Sequence, residues 1–322
     1  MTGTIDSGNI LGGVPEIIES NGSTAMSVYS VGYRAADPSS WVKTFRSDLL
    51  RGLHRDGACL LRGLPVDVEA FNETVRVIGR NLLEYTERST PRSAVSGNIY
   101  TSTDYPADQS IPMHNESSYS HQWPELLFFF CHTPAQSGGA TPVADSRAVL
   151  RALPERTRDL FAEGVIYTRT FRDGLGLSWQ ESFQTEDRAA VEEYCTRNGH
   201  EFEWTGDGLR TRHRRPGYVR EPRTGDLVWF NQANLFHISS LEPDVREALL
   251  ELGTEQDLPR NAYLGDGSPI PGEAIAEIDA AYARTSLAVP WQAGDVMVVN
   301  NMLMAHGRQP YSGERRILVA MS

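Results

Sequence analysis

Cysteine is scarce in this chain of 322 residues, which contains only Cys59, Cys131 and Cys195. Three widely spaced cysteines, an odd number, do not form a disulfide framework. None is placed where a structural zinc site would require it. We interpret all three as small hydrophobic side chains of the protein interior.

Positive charge is also in short supply. The chain has 30 lysine and arginine residues against 42 aspartate and glutamate residues, a net charge of −12, and Lys43 is its single lysine. A net negative charge of this size argues against nucleic acid as a general partner. We attribute the preference for arginine over lysine to genomic composition and not to function.

Long apolar runs are missing as well. No stretch approaches the roughly 18 consecutive apolar residues of a transmembrane helix, and the N-terminal sequence lacks the basic start and apolar centre of a signal peptide. We therefore expect a cytoplasmic protein with no membrane partner. A hydrophobic content of 40% and a charged content of 22% are typical of a globular protein.

The segment Ile111–Tyr119, Ile-Pro-Met-His-Asn-Glu-Ser-Ser-Tyr, contains a pair of metal-binding residue types. On an extended strand, His114 and Glu116 would leave the same face with alpha carbons about 7 Å apart. On a helix they would diverge. Since the apolar run Glu125–Cys131 that follows is typical of a buried strand, we predict a metal site supported by a rigid sheet.

A third candidate ligand, His306, follows a strand-like run near the C-terminus. Two histidines and one carboxylate form the facial triad of non-haem Fe(II) oxygenases, which leaves three coordination positions open. Arg316 begins a last strand-like run, where a guanidinium fork can hold a carboxylate. A zinc hydrolase with the same three ligands and a non-catalytic binding protein are the alternatives.

At this point the sequence resembles the TauD/TfdA family of Fe(II)- and 2-oxoglutarate-dependent dioxygenases, over about residues 25–322. The segments that carry the resemblance are His114-x-Glu116, Gly138-Gly-Ala-Thr-Pro142, Trp291-x-x-Gly-Asp295, His306-Gly-Arg308 and Arg315-Arg316. Others are similar to the SyrP-like branch, close to the clavaminate synthase group: Ser89-Thr-Pro-Arg92, Tyr100-Thr-Ser-Thr103, His114-Asn-Glu-Ser-Ser-Tyr119 and Trp229-Phe-Asn231.

The pattern of elements predicts a mainly β protein with flanking helices, of the α+β class. Short scattered strands around a metal site are typical of a jelly-roll, or double-stranded β-helix, core. We expect residues 1–24 to form a flexible N-terminal arm and residues 25–322 to form a single dioxygenase domain. Residues 173–224 differ in composition and are predicted to be a lid or a substrate-shaping insert.

The resemblance implies that Fe(II) is bound by His114, Glu116 and His306, with 2-oxoglutarate and O2 as co-substrates. By matching position, Thr141 and Arg316 would hold the distal carboxylate of 2-oxoglutarate. Related halogenases replace the carboxylate ligand by a small residue so that chloride can bind. Because Glu116 is retained, the resemblance favours hydroxylation of an unactivated C–H bond, with desaturation or cyclisation as the alternative outcomes.

The candidate substrate contacts are Arg92, Tyr105 and Asn115, which belong to or flank the long polar stretch 85–113 before the metal motif. Arg92 is a planar two-point donor suited to a carboxylate, whereas Asn115 should point away from the metal. The resemblance implies an amino acid or an amino-acid-derived substrate in natural-product (antibiotic) biosynthesis. That substrate is either free or carried as a thioester on a peptidyl carrier protein.

Arginine is concentrated at residues 210–215, inside the predicted insert. We interpret this segment as a solvated basic loop, with a contact for an acidic substrate or carrier protein as the functional alternative. His237 is expected to be structural, since no carboxylate lies two residues from it.

Overall fold

The structure, a computed structural model, describes residues 15–20, 22–31, 38–65, 67–79, 94–96, 99–101, 105–172, 174 and 176–322. The candidate substrate contact Arg92 and residues 1–14 of the predicted arm lie outside these ranges.

The described part of the chain contains both long helices and many short strands. Its helices are α1 Pro38–Asp56, α2 Val68–Ile78, α3 Ser146–Ala152, α4 Glu155–Leu160, α5 Trp179–Phe183, α6 Arg188–Arg197, α7 Ala233–Phe236, α8 Pro243–Leu252 and α9 Gly272–Thr285. Short 3-10 turns lie at Ile238–Ser240 and Glu255–Asp257. No helix in the described ranges is long and apolar enough to cross a membrane.

The strands are short, and most of them pair with strands distant in sequence. They are β1 Glu16–Ser20, β2 Thr24–Ser30, β3 Ala58–Arg62, β4 Ala94–Ser96, β5 Ile99–Thr101, β6 Ile111–His114, β7 Leu126–Thr133, β8 Ser137–Gly138, β9 Val143–Asp145, β10 Val165–Phe171, β11 Glu201–Thr205, β12 Gly208–Arg215, β13 Tyr218–Arg220, β14 Leu227–Trp229, β15 Arg260–Leu264, β16 Ser286–Leu287, β17 Val296–Asn300, β18 Met304–Arg308, β19 Tyr311–Ser312 and β20 Arg316–Met321.

The largest sheet has eight strands in the order β1-β2-β3-β17-β7-β20-β5-β4, and its central strand β7 is buried on both faces. Successive side chains of a strand point to opposite faces. In β7, Phe128 and Phe130 pack into the cluster that contains residues of α1 and α2, whereas Leu127 and Phe129 pack into the cluster on the other side. Because both faces are covered, this strand is continuously apolar.

A four-stranded sheet, β16-β9-β18-β6, faces the large sheet across that second cluster. Val143 and Met304 from the small sheet meet Met297 and Ile317 from the large one. Two sheets that enclose a core in this way form a jelly roll. The predicted jelly-roll core with flanking helices is therefore confirmed.

The described end of the predicted N-terminal arm is part of the sheet. Strand β1 pairs antiparallel with β2, with Glu16 opposite Val28. The hydroxyl of Thr24 donates to the carbonyl oxygen of Thr285 at 2.5 Å. In the described residues 16–20 and 22–24 the chain is therefore paired or turns between paired strands, in a stretch too short to show a clear apolar pattern.

All three cysteines are free and buried, as predicted. Burial is the main reason why the pKa values of Cys59 and Cys131 are raised to about 12. Neither of these two thiols is ionised at neutral pH, so neither is a reactive nucleophile.

The predicted insert 173–224 supplies two strands of a second four-stranded sheet, with the order β11-β12-β10-β15. It also contains helix α6. The arginine-rich segment belongs to strand β12, which pairs with β10 from Val165 opposite Arg215 to Phe171 opposite Leu209. The loop interpretation of that segment is wrong, because charged side chains on the outer face concealed the strand alternation.

Three histidines pack together beside this sheet. The rings of His200 and His213 stack with centroids 3.9 Å apart and planes 3° apart. The ring of His121 lies 5.6 Å from that of His200. Burial and then the two neighbouring histidines lower the pKa of His200 to about 2. The imidazole of His200 is therefore neutral in the folded protein at physiological pH.

This histidine predicts acid sensitivity. In the unfolded chain its pKa returns to about 6.5, so below that pH the unfolded state binds a proton that the folded state does not. The free energy of unfolding should then fall by up to about 1.4 kcal/mol per pH unit for this one proton. Urea unfolding between pH 8 and pH 5 should show a shallower pH dependence for His200→Phe than for the wild type. An unchanged slope, equal to that of a His132→Phe control, would contradict the assignment.

Candidate metal centre

The two candidate histidine ligands are brought side by side by the pairing of β6 with β18. His114 and His306 are direct cross-strand partners in this antiparallel pair. Their ring centroids are 4.4 Å apart. Both residues are buried, so the pair faces the interior of the jelly roll and not bulk water.

Glu116 completes the group from a turn. Strand β6 ends at His114, and Ser117 has a left-handed backbone with φ of 54°. The Oε2 atom of Glu116 lies 3.9 Å from Nε2 of His306. One potential ligand atom from each of the three residues lies within 4.8 Å of the other two. The predicted residues therefore converge, although a turn and not a continued strand brings Glu116 in.

The tautomer of His114 suits metal binding. Its Nδ1 lies 2.8 Å from the carbonyl oxygen of Pro112. A carbonyl oxygen can only accept, so Nδ1 carries the hydrogen and Nε2 presents a lone pair. Two imidazoles and one carboxylate at this separation form a donor set that Fe(II) prefers. These residues fit an iron ion.

Asn301 holds the main chain of Glu116 from both sides. Its Oδ1 accepts from the Glu116 backbone N–H at 2.7 Å, and its Nδ2 donates to the Glu116 carbonyl at 2.9 Å. The same Nδ2 donates to the carbonyl of Pro124 at 3.0 Å. Asn301 is fully buried and lies in the turn between β17 and β18. The turn that leads to His306 therefore also positions the carboxylate ligand.

Asn115 braces this turn. Its Nδ2 donates to the carbonyl of Asn301 at 2.6 Å and to Oγ of Ser146 at 3.1 Å, and its own carbonyl accepts from Nε2 of Gln232 at 2.6 Å. The side chain is fully buried. Its Nδ2 is therefore used by protein partners, and Asn115 as a substrate contact stays a prediction from the sequence.

A cavity of about 40 Å³ adjoins the two histidines. It is lined by Ile111, His114, Phe129, Thr141, His306, Gly307, Arg308, Arg315, Ile317 and Val319. The hydroxyl of Thr141 accepts from Nε1 of Trp291 at 3.2 Å. Arg315 donates from Nε to the carbonyl of Gly139 at 2.9 Å, and its Nη2 lies 3.5 Å from Oγ1 of Thr141.

Arg316 does not reach this cavity. It is exposed, while Ile317 and Val319 line the cavity together with Arg315. The pairing of β20 with β7 shifts register between Arg316 and Ile317. The expectation that Arg316 enters the site is wrong, and Arg315 takes that place. Both faces of β20 are buried, so the apolar pattern could not show which face turns toward the histidines.

Arg315 carries a positive charge at the cavity wall. Burial, followed by the nearby charge of Arg308, lowers its pKa to about 10, so it remains protonated at neutral pH. Within the described ranges no carboxylate forms an ion pair with it. A buried charge without a counter-charge is costly, and a carboxylate ligand beside Thr141 would offset that cost.

Arg308 holds the segment 105–109 beside the cavity through hydrogen bonds. Its guanidinium donates to the carbonyls of Tyr105 at 3.0 Å, of Pro106, and of Gln109 at 2.7 Å. It also lies 5.7 Å from the ring centroid of Tyr105. Tyr105, a predicted substrate contact, is therefore next to a cavity residue, with 38% of its surface exposed. The spacing of two from His306 along a strand was the signal that Arg308 shares its face.

Sequence comparison supports this geometry. The family described as "Taurine catabolism dioxygenase TauD, TfdA family" matches residues 26–321. The chain belongs to the TauD/TfdA family. It is an iron- and 2-oxoglutarate-dependent dioxygenase, and the zinc-hydrolase and non-catalytic alternatives receive no support.

Individual relatives agree with this membership. Dapdiamide synthesis protein DdaC from Enterobacter agglomerans is 41% identical over 272 residues, which cover 84% of this chain and 83% of the relative. A clavaminate synthase-like protein from Arabidopsis thaliana is 30% identical over 294 residues, 87% and 86% of the two chains. The crystal structure of PvcB from Pseudomonas aeruginosa has a TM-score of 0.57 at 14% identity, over 99% of this chain and 94% of that one. This last likeness shows a shared fold.

The contacts of Asn301 predict that it positions the carboxylate ligand. Asn301→Ala removes both bonds to the Glu116 backbone, and loss of such a supporting residue typically weakens metal binding about 10–100-fold. Anaerobic Fe(II) titration should show this loss, whereas Asn198→Ala, at the end of the distant helix α6, should bind iron normally. Unchanged iron affinity in Asn301→Ala would show that the turn does not depend on this side chain.

Proposed function

We propose that this protein hydroxylates an unactivated C–H bond of an amino acid or an amino-acid-derived substrate in natural-product biosynthesis. The observation that carries the proposal is the buried group of His114, Glu116 and His306 beside the Thr141–Arg315 cavity. The relative that is 41% identical is named for dapdiamide synthesis, which supports a biosynthetic role.

The three ligands would occupy one face of the iron and leave three positions open. When bound, iron with 2-oxoglutarate and O2 supplies the oxidising power to break an unactivated C–H bond. In the balanced reaction, substrate, 2-oxoglutarate and O2 give the hydroxylated product, succinate and CO2. The protein supplies position and charge, and the buried setting excludes bulk water. Because Glu116 fills one ligand position, we propose hydroxylation and not halogenation.

Arg315 and Thr141 are the residues that we assign to the distal carboxylate of 2-oxoglutarate. Arg315 presents a planar fork with no described carboxylate paired to it, and Thr141 lies at the far end of that fork. A cavity of about 40 Å³ is little larger than the roughly 30 Å³ share of one water. The cavity must therefore widen when the co-substrate enters.

A peptidyl carrier protein as partner and a cytoplasmic location stay predictions from the sequence. So does the role of residues 173–224 as a lid, and so does Tyr105 as a substrate contact. The structure describes Tyr105 beside the cavity, which supports the last of these.

The substrate class can be tested by mass. We expect the iron-loaded enzyme, given 2-oxoglutarate and O2, to add one oxygen atom to a member of an amino-acid panel, supplied free and as carrier-bound thioesters. His306→Ala should form no product, because it loses a metal ligand. A loss of two hydrogens without a gain of oxygen would indicate desaturation or cyclisation and would contradict hydroxylation.

The orientation of Arg315 toward the cavity and of Arg316 toward solvent leads to a second prediction. Removing the charged partner of a carboxylate typically costs about 2–5 kcal/mol, so Arg315→Ala should raise the apparent 2-oxoglutarate requirement by at least tenfold. Arg316→Ala, the adjacent and exposed control, should bind the co-substrate normally. For both variants, 2-oxoglutarate binding is measured by anaerobic titration of the visible charge-transfer band that the keto acid gives when it chelates Fe(II). The reverse pattern would return the assignment to Arg316.

A further inference from the structure

A second pair of arginines lies on the inner face of the β11-β12-β10-β15 sheet. Arg169 of β10 and Arg260 of β15 are cross-strand partners, two positions along the strands from the pair Tyr167 and Ala262 and therefore on the same face. Residues directly opposite on neighbouring strands are close, and like charges there are destabilising. Because two facing arginines lower stability, we expect the pair to serve a function.

Both arginines line a cavity of about 180 Å³ whose other walls are mostly apolar. These walls include Phe171, Leu177, Phe236, Leu241, Leu249 and Pro259. The guanidinium of Arg169 lies 4.6 Å from the ring centroid of Phe171, and that of Arg260 lies 5.6 Å from the ring centroid of Phe236. Stacking on aromatic rings orients both charged groups at the cavity wall.

Other arginines of the same sheet form ion pairs with carboxylates. On the outer face, Arg210 pairs with Asp257 at 2.6 Å and Arg212 pairs with Glu201 at 3.2 Å. By contrast, Arg260 has no carboxylate partner among the residues that the structure describes. Burial, and then the charge of Arg169, lower its pKa. A positive potential is therefore built into the cavity wall.

Helix α7 contacts both the wall of this cavity and the segment that carries the metal motif. Phe236 is in helix α7, where Asn234 donates to the carbonyl of Met113 at 3.3 Å, next to the ligand His114. Two residues of a helix span about 3 Å along its axis. The ring of Tyr119, in the loop after Glu116, lies 4.9 Å from the ring of Phe236. The cavity wall and the metal motif are therefore joined through α7 and Tyr119.

We propose that Arg169 and Arg260 bind a free carboxylate of the primary substrate, with the carbon skeleton of that substrate in the apolar cavity. This inference rests on the proposed oxygenase function and deepens it. Two guanidinium forks match a carboxylate, and the apolar walls suit an organic acid better than a hydrated inorganic phosphate. A substrate bound in this way keeps its carboxyl group free and is not attached through it to a carrier protein.

The test uses the Fe(II) enzyme without oxygen and with saturating 2-oxoglutarate, so that the Arg315 cavity is already filled. Binding of n-butyrate is measured by the rise in the melting temperature of the protein. The controls are sodium chloride at equal ionic strength and inorganic phosphate. We expect butyrate to bind the wild type and at least tenfold more weakly to Arg260→Gln. Arg212→Gln, which removes one arginine charge from the outer face of the same sheet, should bind butyrate as the wild type does.

The ligand-free melting temperature separates binding from a structural role. Removing one of two facing like charges should leave Arg260→Gln as stable as the wild type or more stable, and Arg260→Lys should keep the charge but bind butyrate more weakly. Equal butyrate affinity in the wild type and Arg260→Gln, or binding of phosphate without butyrate, would overturn the proposal. A wild-type enzyme that gives no charge-transfer band with Fe(II) and 2-oxoglutarate would instead refute the proposed function, whatever butyrate does.

Discussion

The site depends on one pairing, that of β6 with β18. It places His114 opposite His306, at a separation that cross-strand neighbours always have. A slip of one residue would turn one histidine to the opposite face of the sheet. The turn at Asn301, which positions Glu116, leads directly into β18, and Arg308 follows His306 on the same strand. The register of this one strand pair therefore places the candidate ligands. It also places Arg308, which holds the segment at Tyr105.

Buried amides keep this arrangement rigid before any metal arrives. Asn115, Asn301 and Gln232 form hydrogen bonds of 2.6–3.1 Å to one another's main chain, to Ser146 and to the turn at Glu116. In an interior of low polarity, each bond is strong and each unmade bond is costly. A metal site supported in this way holds its ligands close to the bound geometry, so iron binding requires little reorganisation.

Charge is distributed unevenly in this acidic protein. The net charge is −12, yet Arg308 and Arg315 line the cavity beside the histidines, and Arg169 and Arg260 line a second cavity. Burial lowers the pKa values of Arg260, Arg308 and Arg315, which shows that the interior does not solvate them well. The proposed roles of Arg315, and of Arg169 with Arg260, use such guanidinium groups to bind ligands that carry carboxylates, as 2-oxoglutarate does at both ends.

Residue types and spacing predicted a metal site of two histidines and one carboxylate. His114-x-Glu116 and His306 identified the candidate ligands, which the structure brings together. Pattern also predicted the jelly-roll class, because alternation and turn residues are local properties of the chain. Those features needed no knowledge of which strands become neighbours.

Other features were decided by tertiary structure alone. Whether Arg315 or Arg316 faces the histidines depends on a register shift against β7, and β20 is apolar on both faces, so its sequence is the same for either orientation. The inward direction of Asn115 depends on partners up to 186 positions away. The opposition of Arg169 and Arg260 follows from the register of β10 with β15. In each case the deciding contact joins segments distant in sequence, and local pattern carries no information about it.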